Sequence, residues 1–176
     1  MGPRRIARLV GPTALVLAAV GAPLLAPATP LGAARVARAV PSCLRGTWRE
    51  VGEVEADTYA GHPFTLRGDA GRTLTFTGAG REVARYAHAT ALRGVVLGRP
   101  YVIQLRGTVV YTVAVRGDVL DFLTTRPESF RVRATYDGRT VRLTPTTSTP
   151  PVSFTCSARR LVQSSGGYRG TFVRVG

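Results

Sequence analysis

Apolar and polar residues alternate along most of the chain beyond residue 40, a period of two that is typical of β-strands with one buried face. Between Arg72 and Thr77, Leu74 and Phe76 share one face and three threonines share the other. Glycine-containing turns separate such segments. Strands are predicted over residues 72–77, 82–88, 101–105, 108–116, 119–124, 130–136, 139–143, 152–156, 160–163 and 168–175. This spacing predicts an all-β domain of about eight to ten strands with short connections, arranged as a sandwich or a barrel.

The clearest hairpin signal is Asp137-Gly138, because this dipeptide favours a two-residue turn. Such a turn pairs residues 132–136 with residues 139–143 in antiparallel order. The register predicts an apolar face made of Val132, Ala134, Val141 and Leu143. It also predicts an opposite face on which Arg131, Arg133 and Arg142 stand together. These like charges either spread into solvent or form an anion-binding patch for carboxylate or phosphate groups.

The beginning of the chain has the composition of an export leader. Three arginines precede an apolar stretch over residues 9–26, and small-residue cleavage motifs follow it. A retained membrane span is the less favoured alternative, because Pro12, Pro23 and Pro27 shorten any continuous helix below the roughly 20 residues that a span needs.

The sequence therefore predicts a signal peptide and flexible tail over residues 1–39, cleaved near residues 28–39 by the general or the twin-arginine route. A single secreted domain is predicted over residues 40–176. Export permits a disulfide. Cys43 and Cys156 are the only cysteines, and a bridge between them would contribute roughly 4–5 kcal/mol by closing nearly the whole domain. Two buried free thiols are the alternative.

The charge balance favours anionic surroundings. All 24 basic residues are arginine, and the full chain has a formal charge of +14. Without residues 1–39, 19 arginines stand against 10 acids, a net charge of +9. Such a domain attracts anionic surfaces and polymers through its long-range field. Nucleic acid is not a predicted partner, because aromatic residues are few and the arginines are scattered over many strands.

Two motifs at the ends of the domain carry a family resemblance. Gly46-Thr47-Trp48 opens the first strand just after Cys43, and Thr171-Phe172-Val173-Arg174 lies in the last strand. In these motifs the chain resembles the calycins, the lipocalins and their relatives, including small secreted lipocalin-like bacterial proteins. The resemblance implies one antiparallel lipocalin-like β-barrel, in which Trp48 and Arg174 close one end by cation–π stacking, with Arg169 as the alternative partner. The T-D-Y-type turn of lipocalins is absent. Biotin binding by an avidin-like barrel is not implied, since that pocket needs several tryptophans and this chain has one.

Signatures of catalysis are missing from the sequence. There is no G-x-S-x-G, no H-E-x-x-H, no phosphate-binding glycine loop and no zinc-spaced cysteine pair. His62 and His88 are the only histidines, and both are expected at the surface or in the core. The sequence therefore predicts a protein that is not an enzyme, with no catalytic residue, cofactor or metal. A secreted hydrolase would require a histidine–carboxylate pair in a cleft.

Four acids crowd the segment after Trp48: Glu50, Glu53, Glu55 and Asp57. A divalent-cation site is one interpretation, because carboxylates bind hard cations. The spacing matches no dedicated cation loop, so a solvated strand edge or lid is the favoured interpretation. Residues 55–63 are predicted to form a loop at the barrel mouth.

Two classes of function remain, and no membrane span is predicted after processing. In the first, the barrel mouth binds a small apolar or amphipathic ligand. The candidate lining residues are Phe64, Leu74, Phe76, Tyr86, Tyr101, Ile103, Tyr111, Leu120 and Phe122. In the second, the barrel is solid, and its arginine-rich outer surface binds anionic cell-envelope material or a protein. A cavity of roughly a few hundred Å³ would favour the first class, and a packed interior the second. The sequence leaves the oligomeric state open.

Overall fold

A computed structural model describes residues 40–68, 72–145 and 149–175, and the predicted leader lies outside these residues. The described chain forms ten β-strands: β1 (Gly46–Tyr59), β2 (His62–Gly68), β3 (Arg72–Thr77), β4 (Arg81–Val96), β5 (Arg99–Arg116), β6 (Val119–Tyr136), β7 (Arg139–Leu143), β8 (Val152–Cys156), β9 (Arg160–Ser165) and β10 (Tyr168–Val175). Within these residues no helix has the length and apolar character needed to cross a membrane.

The strands form one antiparallel sheet that closes on itself. Around the ring, β1 pairs with β10, which is followed by β9, β8, β6, β5 and β4. The ring returns to β1 through β2 and β3, which share one position: β3 pairs with Gly46–Arg49 of β1, and β2 pairs with the later part of β1. The ring therefore has eight positions, and the prediction of a single all-β antiparallel barrel is confirmed.

Several strands are longer than the alternation pattern predicted: β4 continues to Val96 and β9 to Ser165, and β5 and β6 each join two predicted strands. The segments 101–105 and 108–116 are one strand, β5, with a register shift at Gly107. Gly107 has a φ of 103°, and a Cβ there would lie 2.4 Å from the carbonyl oxygen of Ser129, so only glycine fits this bulge. The segments 119–124 and 130–136 are likewise joined, in β6. The bulge reverses the alternation locally, which is why the sequence pattern divided each strand in two.

The predicted loop over residues 55–63 is wrong. Strand β1 continues to Tyr59, a tight turn follows at Ala60 and Gly61, and β2 begins at His62. Both turn residues have positive φ, 50° and 83°, as a two-residue hairpin turn requires. The acidic segment therefore belongs to a paired strand of the barrel wall.

The Asp137-Gly138 hairpin has the predicted register in all five pairs, from Tyr136↔Arg139 to Val132↔Leu143. Its predicted apolar face is buried only in part. Val132 and Ala134 of β6 are buried, whereas Val141 of β7 is 47% exposed. Within the described residues β7 pairs with β6 alone and lies outside the ring, so no second described strand covers its inner face.

One end of the barrel is plugged by the segment that precedes β1. Val40 and Leu44 are buried there, and the Trp48 indole N–H donates a 2.8 Å hydrogen bond to the Leu44 carbonyl. The predicted disulfide between Cys43 and Cys156 is confirmed, with a Cα–Cα distance of 5.8 Å, and it ties this segment to β8. We call this region the closed end. A disulfide fits a non-reducing environment.

Candidate functional site

The closed end brings together the predicted pair of Trp48 and Arg174. The Arg174 guanidinium carbon lies 4.2 Å from the centroid of the Trp48 ring. The same guanidinium donates hydrogen bonds to the carbonyls of Cys43 and Arg45 at 2.6 Å and of Ala158 at 2.7 Å. Arg174 on β10 therefore holds two segments in place: the segment that precedes β1 and the connection between β8 and β9.

A cavity of about 140 Å³ lies inside the barrel beyond the closed end. Its polar lining follows from strand parity, because alternate residues of a strand share a face. On β1 the inner face carries three acids in succession, Glu53, Glu55 and Asp57. On β4, Glu82 shares the inner face with Ala84 and Tyr86. We call Glu53, Glu55, Asp57 and Glu82 the acidic wall.

The rest of the cavity lining is largely apolar and aromatic. Leu92, Ile103 and Leu105 come from β4 and β5, and Val152 comes from β8. Five of the nine predicted lining residues border the cavity: Leu74, Tyr86, Ile103, Tyr111 and Phe122. The other four are buried in the core without bordering it: Phe64, Phe76, Tyr101 and Leu120. Sequence parity placed all nine on the inner face, but it does not tell which of them pack against one another.

Arg72 connects several of the polar side chains around the cavity. Its Nη2 donates to Glu50 Oε1 at 2.5 Å and to the Tyr168 hydroxyl at 2.7 Å, and its Nη1 reaches the Tyr86 hydroxyl at 3.4 Å. Glu53 Oε2 lies 3.7 Å from Nη2, within ion-pair range but beyond a hydrogen bond. Four strands, β1, β3, β4 and β10, therefore hold one guanidinium inside the barrel.

Carboxyl groups outnumber the guanidinium in this interior. Glu50, Glu53 and Glu82 are buried, with exposed fractions of 0%, 4% and 3%. Arg72 is the one basic side chain seen to bond any of them within residues 40–68, 72–145 and 149–175. Burial raises the pKa of Glu50 to about 7 and the pKa of Glu55 and Glu82 to about 8, against the opposing effect of Arg72.

Several buried polar atoms have no hydrogen-bond partner among the described residues. They are Oε2 of Glu50, Glu53 and Glu82, Nε of Arg72, Nε2 of Gln163 and the Tyr101 hydroxyl. Of these side chains, all but Glu50 and Tyr101 also border the cavity. Buried polar groups without partners are rare in folded proteins and costly, so their concentration around one cavity marks a place where a ligand can bind.

The outer face of the barrel wall carries exposed arginines, in contrast to the carboxyl groups of the interior. Strand register places Arg67 opposite Arg93, Arg106 opposite Arg131, and Arg133 opposite Arg142. All six side chains are exposed, and we call them the arginine face. The predicted patch of Arg131, Arg133 and Arg142 belongs to this larger set. The ion pairs seen within the described chain involve other arginines, such as Arg99, Arg116 and Arg126.

The favoured interpretation of the acidic segment as a solvated edge or lid is wrong for Glu50 and Glu53, which are buried. Asp57 is exposed at the cavity and Glu55 is partly buried. In the described part of the chain, no group of three histidine, cysteine or acidic residues is placed to hold a metal ion. His62 is exposed, and the side chain of His88 lies outside the described residues.

Sequence reasoning missed Arg72 and Glu82, although a signal was present. Arg72 has the same parity as Leu74 and Phe76, and Glu82 has the same parity as Tyr86. A charged residue at an inward position is a mark of a functional interior. Comparison with family models, with curated proteins and with solved structures found no match to this chain.

Proposed function

We propose that the protein is a secreted, non-catalytic binding protein whose barrel takes up a small amphipathic ligand. The observation that carries the proposal is the cavity itself, whose lining combines apolar side chains with buried polar groups that have no partner among the described residues. This combination matches the general pattern of ligand pockets, in which apolar surface supplies affinity and a few polar groups fix orientation.

The volume of the cavity limits the size of the group that can bind inside it. Its volume of about 140 Å³ is close to the roughly 150 Å³ of an engineered protein cavity that holds benzene. Pockets for drug-sized ligands are larger, at about 300–1,000 Å³. The part of the ligand inside the barrel is therefore expected to be about the size of one aromatic ring with a polar substituent.

Native mass spectrometry of the protein purified from culture supernatant tests this function. We expect a mass increment in the native spectrum that disappears on denaturation and identifies the ligand. Ala84→Phe should abolish the increment, because Ala84 is buried and borders the cavity. The matched control is Val141→Phe, which adds an aromatic ring at an exposed position and should retain the increment. A bare native mass for the wild-type protein, together with no uptake of small aromatic compounds, would contradict the proposal.

The arginine face supports a second candidate function, binding of anionic cell-envelope material. Three arginine pairs directly opposed across strands are unfavourable for the isolated protein, and an anionic partner relieves that repulsion. Arg133→Gln/Arg142→Gln should weaken binding to vesicles that contain anionic phospholipid. Arg99→Gln/Arg126→Gln removes the same charge from exposed arginines outside the arginine face and serves as the control. Equal binding by both double variants would reduce the effect to net charge and remove this candidate.

A further inference from the structure

We propose that the polar group of the cavity ligand is a protonated amine, bound by the carboxyl group of Glu82. This inference rests on the proposed ligand-binding function and specifies its chemical class. The protein would thus bind a small organic cation with an apolar body.

Glu82 is the most favourably placed acceptor. It lies in the middle of the sheet, where its backbone pairs with Phe76 of β3 on one side and Tyr111 of β5 on the other. Only 3% of the residue is exposed, it borders the cavity, and its Oε2 has no hydrogen-bond partner among the described residues. The carboxyl group therefore faces the cavity from a rigid position, as a preorganised acceptor should.

A second observation is the charge imbalance around Arg72. Its guanidinium is bonded to Glu50 and to two tyrosine hydroxyls, so Glu53 is left at 3.7 Å, and Glu82 has no bonded cation among the described residues. Buried carboxylates are stable only when they are paired or protonated. One additional positive charge in the cavity would pair with them, whereas an anion would increase the imbalance.

The remaining lining fits the apolar body of such a ligand. Leu92, Ile103 and Leu105 add aliphatic lining further along β4 and β5, the strands that carry Glu82 and Tyr111. The rings of Tyr111 and Phe122 also border the cavity, with centroids 5.0 Å apart and planes inclined by 66°. Aromatic faces attract cations as well as apolar groups, so this wall suits an ammonium attached to a ring. A divalent metal is disfavoured, because the described residues offer no cluster of three ligating side chains.

Isothermal titration calorimetry with three ring-sized probes tests the inference: benzylammonium, benzyl alcohol and benzoate. Mildly alkaline buffer keeps Glu82 ionised and the ammonium protonated. We expect benzylammonium to bind at least about 10-fold more tightly than benzyl alcohol, the difference that a hydrogen bond to a charged group makes, and benzoate to bind most weakly.

Two variants locate the effect. Glu82→Gln should lower benzylammonium affinity by about 10-fold or more while leaving benzyl alcohol affinity unchanged. Glu128→Gln makes the same change in net charge at an exposed residue paired with Arg126, and it should leave all three affinities unchanged.

The outcomes separate this inference from the proposed function. If benzyl alcohol binds as tightly as benzylammonium, or benzoate binds best, the inference is overturned and the ligand-binding function stands. If none of the probes binds and no native ligand is found, both fail. The comparison among probes uses the wild-type protein, so it remains decisive even if Glu82→Gln does not fold.

Discussion

Two arginines, Arg174 at the closed end and Arg72 beside the cavity, are satisfied in opposite ways. Arg174 donates to three backbone carbonyls at the closed end and covers the Trp48 ring. Arg72 is bonded to one carboxylate and two phenols, and it stands among more acidic groups than it can pair. At the closed end the partners belong to the fold, whereas beside the cavity several polar atoms have none among the described residues.

This contrast separates a region that stabilises the fold from the region where the proposed ligand is expected to bind. A polar network whose members are all paired makes a structure rigid, and one with unpaired members costs stability unless another molecule completes it. Under the proposed function, the closed end contributes stability and the cavity contributes recognition. Substitutions in the two regions should separate these roles.

The largest effect is expected from removing the disulfide of the closed end. Cys43→Ser/Cys156→Ser opens a loop that spans 113 residues, and the free energy of unfolding should fall by about 4–5 kcal/mol. Urea denaturation measures the change, and the wild-type protein under reducing conditions is the control. A loss below about 1 kcal/mol would show that the plug is held by packing and by Arg174 rather than by the bridge.

Replacing Arg72 or Arg174 by methionine should lower stability in both cases but ligand binding in only one. Arg72→Met leaves the buried Glu50 without its cation, and unfolding free energy should fall by about 3–5 kcal/mol, with loss of ligand binding. Arg174→Met should cost about 2 kcal/mol because three carbonyls lose a charged donor, but ligand binding should persist. If Arg174→Met also abolished binding, the division of roles between the closed end and the cavity would be refuted.

The sequence predicted the fold better than it predicted the cavity. Strand positions and the Asp137-Gly138 register depend on local alternation and a two-residue turn, and both follow from short segments. The polar interior depends on distant pairings: Arg72 meets Glu50 across 22 residues and Tyr168 across 96. Local parity placed Arg72 on the inner face, but only the closed ring supplies the partners that make its burial tolerable.

Stability should decrease as pH rises, because of the acids around the cavity. Burial raises the pKa of Glu82 to about 8 and that of Glu50 to about 7, whereas the unfolded chain ionises near the ordinary value of 4.5. Between these values the unfolded state binds fewer protons than the folded state, so unfolding free energy is fully present below pH 4.5 and falls as pH rises toward 8. The expected loss is several kcal/mol, because each unit of difference between the folded and unfolded pKa is worth about 1.4 kcal/mol.

Urea denaturation at a series of pH values measures this dependence. Glu82→Gln should make this dependence shallower, because the amide does not titrate whereas Glu50 and Glu55 still do, and Glu128→Gln at the exposed surface should leave it unchanged. Saturating benzylammonium should also flatten the curve if the proposed cation pairs with the ionised acid. Stability that rises over this interval would mean that the interior carboxylates are already compensated in the free protein.

The smallest change in stability is expected from substitutions on the arginine face of the outer wall. Arg133 and Arg142 are directly opposed on adjacent strands and exposed, so Arg133→Gln/Arg142→Gln should raise unfolding free energy by about 0.2–1 kcal/mol at low salt. The gain should disappear at high salt, because exposed charges are screened. Thermal unfolding at two ionic strengths measures both, with Arg99→Gln/Arg126→Gln as the control that breaks two ion pairs and should gain nothing. A gain in unfolding free energy that persisted at high salt would come from strand propensity and not from charge. Repulsion between the opposed arginines would then not support an anion-binding role for this face.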